Sequence, residues 1–215
     1  MALKKKDFIE VEFTGKVKDG EVFDSNIKKE LEKIGSNVPA KPFVFCLGEG
    51  MFLKGIDDFL IGKEIGKHKI ELSPENAFGS RNSQLIQLIP MKVFREQNTQ
   101  PAPGAMFNFD GKPAKILSVS GGRVMADFNN PLAGKDLEYN LTVKRKIENT
   151  DEKIKSLIDF FFRQELKFKA EGKKIILEVD KPLIEYAKLF QDKFKDMLGL
   201  ELEAREIKDS SKKSQ

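Results

Sequence analysis

Between residues 7 and 14 apolar and polar side chains alternate, with Ile9, Val11 and Phe13 on one side and Glu10, Glu12 and Thr14 on the other. A period of two predicts an antiparallel strand with one face in water. Lys18-Asp19-Gly20 reads as a turn, and Val22-Phe23 begins a short return strand. Asn26–Gly35 is charged, with Ile27, Leu31 and Ile34 as its apolar residues, and reads as a short helix closed by Gly35. Beyond Pro39 and Pro42, Phe43, Phe45 and Leu47 share one face of a further strand. Ile56, Phe59 and Leu60 then recur at i, i+3 and i+4, which predicts a short helix ending at Gly62. Lys67–Leu72 reads as a strand. So does part of Lys135–Ile147, where Leu137, Tyr139, Leu141 and Val143 are in phase.

Two stretches follow other rules. Residues 85–128 hold Gln100-Pro-Ala-Pro-Gly104 and turns at Asp110-Gly111 and Gly121-Gly122. Between them lie the β-prone runs Ala105–Phe109, Ala114–Val119 and Arg123–Phe128, so this segment reads as a small all-β unit. From Thr150 the pattern turns helical. Ile154, Leu157, Ile158 and Phe161 form a stripe, with Thr150 as candidate N-cap and Asp151 and Glu152 in the first turn. A hairpin turn at Glu171-Gly172 leads into Ile175–Val179. Asp180 then caps a helix with Lys181-Pro182 in its first turn and Leu183, Ala187, Phe190, Phe194 and Met197 on its inner face. Gly199 ends it and Leu200–Ile207 closes as a strand, giving α-β-β-α-β from Thr150 to Ile207.

The 215 residues are 40% apolar and 33% charged, as in a water-soluble globular protein. Runs such as Phe160–Phe162 are too short to span a bilayer, and an acidic strand stands where a signal peptide needs an apolar stretch. A cytoplasmic protein is expected. The net charge of +4 is spread evenly: residues 85–128 carry 5 basic and 3 acidic groups, and residues 150–215 carry 15 and 14. No segment has the concentrated basic footprint of a nucleic-acid binder. Cys46 is the sole cysteine, which rules out an internal disulfide, and its apolar strand predicts a buried, inert thiol. His68, the sole histidine, is in phase with Ile70 and Leu72 and reads as a half-buried strand residue. One His and one Cys do not make a transition-metal site, so neither metal nor cofactor is expected. The tail from Lys208 to Gln215 is polar and expected to fray.

Residues 11–26 read V-E-F-T-G-K-V-K-D-G-E-V-F-D-S-N, and residues 42–62 read P-F-V-F-C-L-G-E-G-M-F-L-K-G-I-D-D-F-L-I-G, with E-L-S-P-E-N-A-F-G at 71–79. These ordered blocks resemble the FKBP family of peptidyl-prolyl isomerases. The resemblance covers residues 7–84 and 129–147. It implies an α+β fold, an FKBP-like curved antiparallel sheet over a short helix, with a prolyl pocket between them. Carried over by position, the pocket residues are Phe13, Phe23, Asp24, Phe43, Phe52, Leu53, Ile56, Phe78 and Tyr139. Without the resemblance the apolar members read as ordinary core, while Asp24, a carboxylate among aromatics, does not. Such a site suits isomerisation, which breaks no bond. Water exclusion and a fit to the twisted amide disfavour the planar ground state. The chain departs from the family in having no Trp, so that Ile56 stands where many members carry one. Phe13 and Phe78 stand where many carry Tyr, which speaks against tight binding of the family's macrolide inhibitors.

The segment between A-F-G and N-N-P-L-A-G-K resembles the insert-in-flap domain of SlyD-type FKBPs, which implies binding of unfolded chains. Candidate peptide-binding residues are Ile86, Leu88, Ile89, Met91, Val93, Phe94, Met106, Phe107 and Phe109, or else these form the insert's own core. The histidine-rich tail of some SlyD proteins is missing, so no nickel role carries over. The last third resembles the extra domain of long archaeal FKBPs, which implies self-association. The Phe-rich helix Ile158–Phe162 fits either burial against a second copy or packing on its own hairpin. The expected organisation is an isomerase domain at 1–84 and 129–149, an inserted small β domain at 85–128, a C-terminal α-β-β-α-β domain at 150–208 and a tail at 209–215. The expected function is a peptidyl-prolyl isomerase and folding chaperone acting on unfolded proline-containing polypeptides, a homodimer through its C-terminal domain with no nucleic-acid or membrane partner. The alternatives are a holdase with little turnover and a nucleic-acid binder through the C-terminal unit. Even charge and the lack of a G-x-x-G loop oppose the latter.

Overall fold

The computed structural model describes residues 2–207, so the tail expected to fray lies outside the described residues. Strands β1 (Phe8–Val17) and β2 (Val22–Ser25) precede helix α1 (Lys28–Lys33), strand β3 (Phe43–Cys46), helix α2 (Lys54–Leu60) and strand β4 (Gly66–Leu72). Next come β5 (Ile86–Pro90), α3 (Met91–Glu96), β6 (Met106–Phe109), β7 (Lys112–Ser120) and β8 (Arg123–Asp127). Strand β9 (Leu137–Lys146) leads to α4 (Thr150–Phe162), β10 (Lys167–Glu171) and β11 (Lys174–Val179). Helices α5 (Lys181–Lys188) and α6 (Gln191–Leu198) and strand β12 (Glu201–Glu206) are the last elements among the described residues. The mixed α+β architecture read from the sequence is the one found.

The chain divides into two compact units. Among the described residues the first contains 2–16, Gly20–Ile70 and 138–207, and the second contains Val17–Asp19 and Glu71–Leu137. In the first unit the sheet runs β2-β1-β9-β4, with β3 also paired to β1. Strand β1 is long enough to take two partners end to end: β3 pairs along Phe8–Val11 and β2 along Thr14–Lys16, both antiparallel. The period-two residues Ile9, Val11, Leu137, Tyr139, Leu141 and Val143 are buried, as their spacing predicts, and Ile56 and Leu60 of α2 join them. Cys46 is buried, and loss of solvent pushes its thiol up to about 12, an inert form. His68 is half-buried and in phase with Ile70 and Leu72.

The C-terminal segment belongs to the same unit. Here β10-β11-β12 form a sheet in which β12 runs parallel to β11 after the helical crossover. Two details differ from the sequence reading. Asn149, not Thr150, caps α4, its side chain accepting the Glu152 N–H at 3.0 Å. The single helix expected after Asp180 is two, α5 and α6, broken at Leu189-Phe190. The break turns Phe190 inward to stack on Phe161 at 4.7 Å while Leu189 stays in solvent. Phe162 packs on Tyr186 and Phe190, so the Phe-rich end of α4 is engaged within its own chain.

In the second unit the sheet order is β5-β8-β7-β6. It carries a helix that the reading of an all-β insert lacked. α3 is only six residues long, too short to show a period, yet it supplies Phe94, the centre of the core formed with Ala114, Ile116, Val124 and Ala126. At the foot of this sheet Asp127 accepts hydrogen bonds from the Asn129 backbone and side chain and pairs with Arg81. Asn129 in turn bonds the Asn82 backbone at both N–H and C=O. Burial alone raises the Asp127 carboxyl, but the Asn129 and Arg81 bonds outweigh it and hold the carboxyl below its usual range.

Candidate functional site

Of the aromatic residues read from the sequence, Phe13, Phe23, Phe43, Phe52 and Tyr139 come together on four strands, β1 and its neighbours β2, β3 and β9, and one loop. Phe13 (β1) lies 5.0 Å from Phe52, 5.9 Å from Phe43 and 6.2 Å from Tyr139, between ring centroids. Tyr139 (β9) is 5.7 Å from Phe52 and 5.9 Å from Phe23 (β2). Most of these pairs are tilted or edge-to-face, the arrangement that aromatic quadrupoles favour. Phe45, read only as a strand residue, joins the cluster from the buried side at 5.0 Å from Phe43 and 5.6 Å from Phe52. Phe13, Phe45 and Tyr139 are buried, whereas Phe23, Phe43, Phe52 and Leu53 are half-exposed and form the accessible surface. Ile56 is buried in the first turn of α2, and Leu53 precedes that helix as its N-cap residue. Phe78 belongs to the second compact unit, half-buried after the 3-10 turn Pro74–Asn76.

Asp24 sits in β2 opposite Gly15 of β1. Its residue is exposed overall, yet the protein around its carboxyl sheds enough water to raise the pKa, against a smaller opposing effect of the Ser25 backbone N–H. Burial, with the Asp24 charge behind it, also raises the Tyr139 phenol, which is therefore neutral. Gly15 makes the Tyr139 position possible: a Cβ there would lie 2.7 Å from Tyr139 Cε1 and 3.0 Å from Phe23 Cζ.

Three polar residues that the sequence reading missed, Asn26, Ser25 and Asp57, hold this cluster in place. β2 and β3 leave a gap along β1, and Asn26 fills it. Its Oδ1 accepts the Phe13 N–H at 2.7 Å and its Nδ2 donates to the Val11 carbonyl at 2.8 Å. The side chain thus imitates a strand where none runs. Ser25 Oγ adds a bond to the Phe13 carbonyl at 2.8 Å. The only local signal was an S-N pair following the acidic residue. Asn26→Ala leaves a half-buried amide and carbonyl without partners, and chemical denaturation is expected to read a loss of about 1–3 kcal/mol. A loss within about 0.3 kcal/mol would mean that water replaces the side chain. Asp57, buried in α2, accepts the Gly50 N–H at 3.2 Å and so pins the loop that leads into Phe52. Burial raises its pKa, and the Gly48 and Gly50 N–H groups partly oppose this.

The nine candidate peptide-binding residues divide sharply. Phe94 is buried, and Ile89, Met91, Val93, Phe107 and Phe109 pack against the core it anchors. Ile86 is half-buried. Leu88 (58% exposed) and Met106 (55%) stand on the opposite face of the sheet. Met125, paired directly with Leu88, and Leu117, in the β7 bulge, extend that exposed face and were missed by the sequence reading. Alternation showed that each strand has two faces but not which one α3 would cover.

A family model described as FKBP-type peptidyl-prolyl cis-trans isomerase matches residues 1–95, and one described as the IF domain of FKBP26 matches residues 87–132. The chain is 34% identical over 146 residues to the short-type peptidyl-prolyl cis-trans isomerase of Methanocaldococcus jannaschii, which covers 66% of this chain and 92% of the relative. It is 31% identical over 139 residues to the FKBP-type 16 kDa peptidyl-prolyl cis-trans isomerase of Escherichia coli strain K12, covering 62% and 86%. It is 28% identical over 159 residues to the FKBP-type peptidyl-prolyl cis-trans isomerase SlyD of Treponema pallidum, covering 70% and 81%.

Proposed function

Since this chain belongs to the FKBP-type peptidyl-prolyl cis-trans isomerases, we propose that it turns over X–Pro bonds at the aromatic cluster of the first unit, within unfolded chains that the exposed face of the insert holds. The single observation that carries this reading is a continuous set of rings with one carboxylate, Asp24, at its edge. The X–Pro amide resists rotation through resonance, with a barrier of roughly 18–20 kcal/mol. The planar amide is more polar than the twisted one, so a dry aromatic surface costs the ground state more than the transition state. Asp24, ionised, faces the amide and steadies the charge redistribution as conjugation is lost. The apolar face of Leu88, Met106, Leu117 and Met125 supports the chaperone half of the proposal, because flexible thioethers adapt to many side chains.

The test is isomerisation of a proline tetrapeptide by the full chain and by Asp24→Ala. The variant is expected to lose about tenfold in kcat, about 1.4 kcal/mol of barrier, with KM little changed. Because the Asp24 pKa is raised, kcat should fall on acidification at a higher pH than an ordinary aspartate would give. The same shift means that the folded state favours neutral Asp24, so Asp24→Asn should raise stability at neutral pH. A wild-type chain that leaves the tetrapeptide at its uncatalysed rate would sink the reading.

A further inference from the structure

We propose that the groove between β3 and α4 is an extended subsite of the isomerase, which takes a stretched polypeptide segment flanking the proline under turnover. The inference rests on the isomerase reading above. The groove measures about 650 Å3, within the size range of ligand sites, and adjoins the aromatic cluster at Phe43. Pro42, Phe43, Val44, Ile158, Phe160 and Leu166 give it apolar walls.

Three observations choose its occupant. The first is continuity: Phe43 lines the groove and is also a member of the aromatic cluster, its ring 5.2 Å from Phe52. A chain with its proline against Phe52 reaches the groove by passing one side chain. The second is an open strand edge. Leu47 donates to the Asp7 carbonyl opposite it, so in this antiparallel ladder Phe45 and Phe43 also bond toward β1, and Val44 and Cys46 turn the other way. Cys46 N–H finds Met51 Sδ at 3.2 Å, while the N–H and C=O of Val44 have no partner among the described residues. An added extended chain supplies those bonds. The third is charge. Acidic and basic residues line the groove in equal numbers, and Arg145 is already held by Glu10 at 2.8 Å and Glu152 at 2.7 Å. That balance suits a neutral, amide-rich chain and not a phosphate or nucleic acid. On this view α4 is a wall of the substrate site, and side chains several positions from proline contribute to selection.

The experiment compares a proline tetrapeptide with a dodecapeptide that contains it, using full-length protein, Leu166→Asp and Ser156→Arg, the last chosen to fill the groove. Circular dichroism verifies that both variants are folded. The wild type is expected to favour the dodecapeptide by about tenfold in kcat/KM, and both variants to bring that ratio to about one. Anisotropy of a labelled dodecapeptide with Ala in place of Pro reads the groove without turnover, and its Kd should rise about tenfold in both variants. An unchanged ratio and an unchanged Kd overturn the subsite and leave the isomerase reading standing. Absent tetrapeptide turnover with an intact Kd effect does the reverse. If Leu166→Asp abolishes self-association in sedimentation but leaves peptide binding unchanged, the groove belongs to a second copy and the proposal is wrong.

Discussion

Removing residues 87–126 is expected to slow the isomerase-assisted refolding of a proline-limited unfolded protein by roughly a hundredfold and to leave tetrapeptide isomerisation within about twofold. The size follows from effective concentration: a second, weak attachment on one chain multiplies apparent affinity by about 10²–10⁴ without new contacts at the reacting bond. The deletion is geometrically sound, because Ile86 and Asp127 are register partners in the β5–β8 ladder and a short Gly linker joins them. Asp127 must stay, since Arg81 and Asn129 bond to it. Refolding with a native X–Pro bond as its slow step, followed beside the tetrapeptide assay, gives the measurement. A finer variant, Leu88→Glu with Met125→Glu, should reproduce most of the loss, because both side chains are exposed and the Phe94 core is untouched. Equal loss on both substrates would reject this division of labour.

Gly15→Ala is expected to lower tetrapeptide kcat/KM by about ten- to a hundredfold and to destabilise the fold by about 1–3 kcal/mol, as overpacking does. The added Cβ would sit 2.7 and 2.8 Å from two ring atoms of Tyr139. Tyr139 cannot step aside, because Phe13, Phe23 and Phe52 enclose it at 6.2, 5.9 and 5.7 Å. The glycine is needed for room and not for backbone freedom, as its φ is outside the left-handed region. Wild-type kcat/KM in Gly15→Ala would remove Tyr139 from the site.

Some of this architecture was written in local pattern. Strict alternation in β1 and β9 gave both strands and the identity of the buried side, and the i, i+3, i+4 spacing gave α2 and its stop at Gly62. The clustered aromatics were singled out by family resemblance, since periodicity alone reads them as ordinary core. Other features left no trace. Six residues of α3 do not complete two turns. The break between α5 and α6 depends on Phe161, which lies far back in the chain.

Sequence alone marked strands such as β1 and β9 and, in them, the side that seeks cover. Only the folded chain decided that Asn26 substitutes for a missing strand beside Phe13, that Asp57 fixes the loop before Phe52, and that one face of the insert stays bare. The reason is range. Side-chain period reflects neighbours a few positions away, whereas a buried hydrogen bond or a covered sheet face depends on partners brought together only when the sheet assembles.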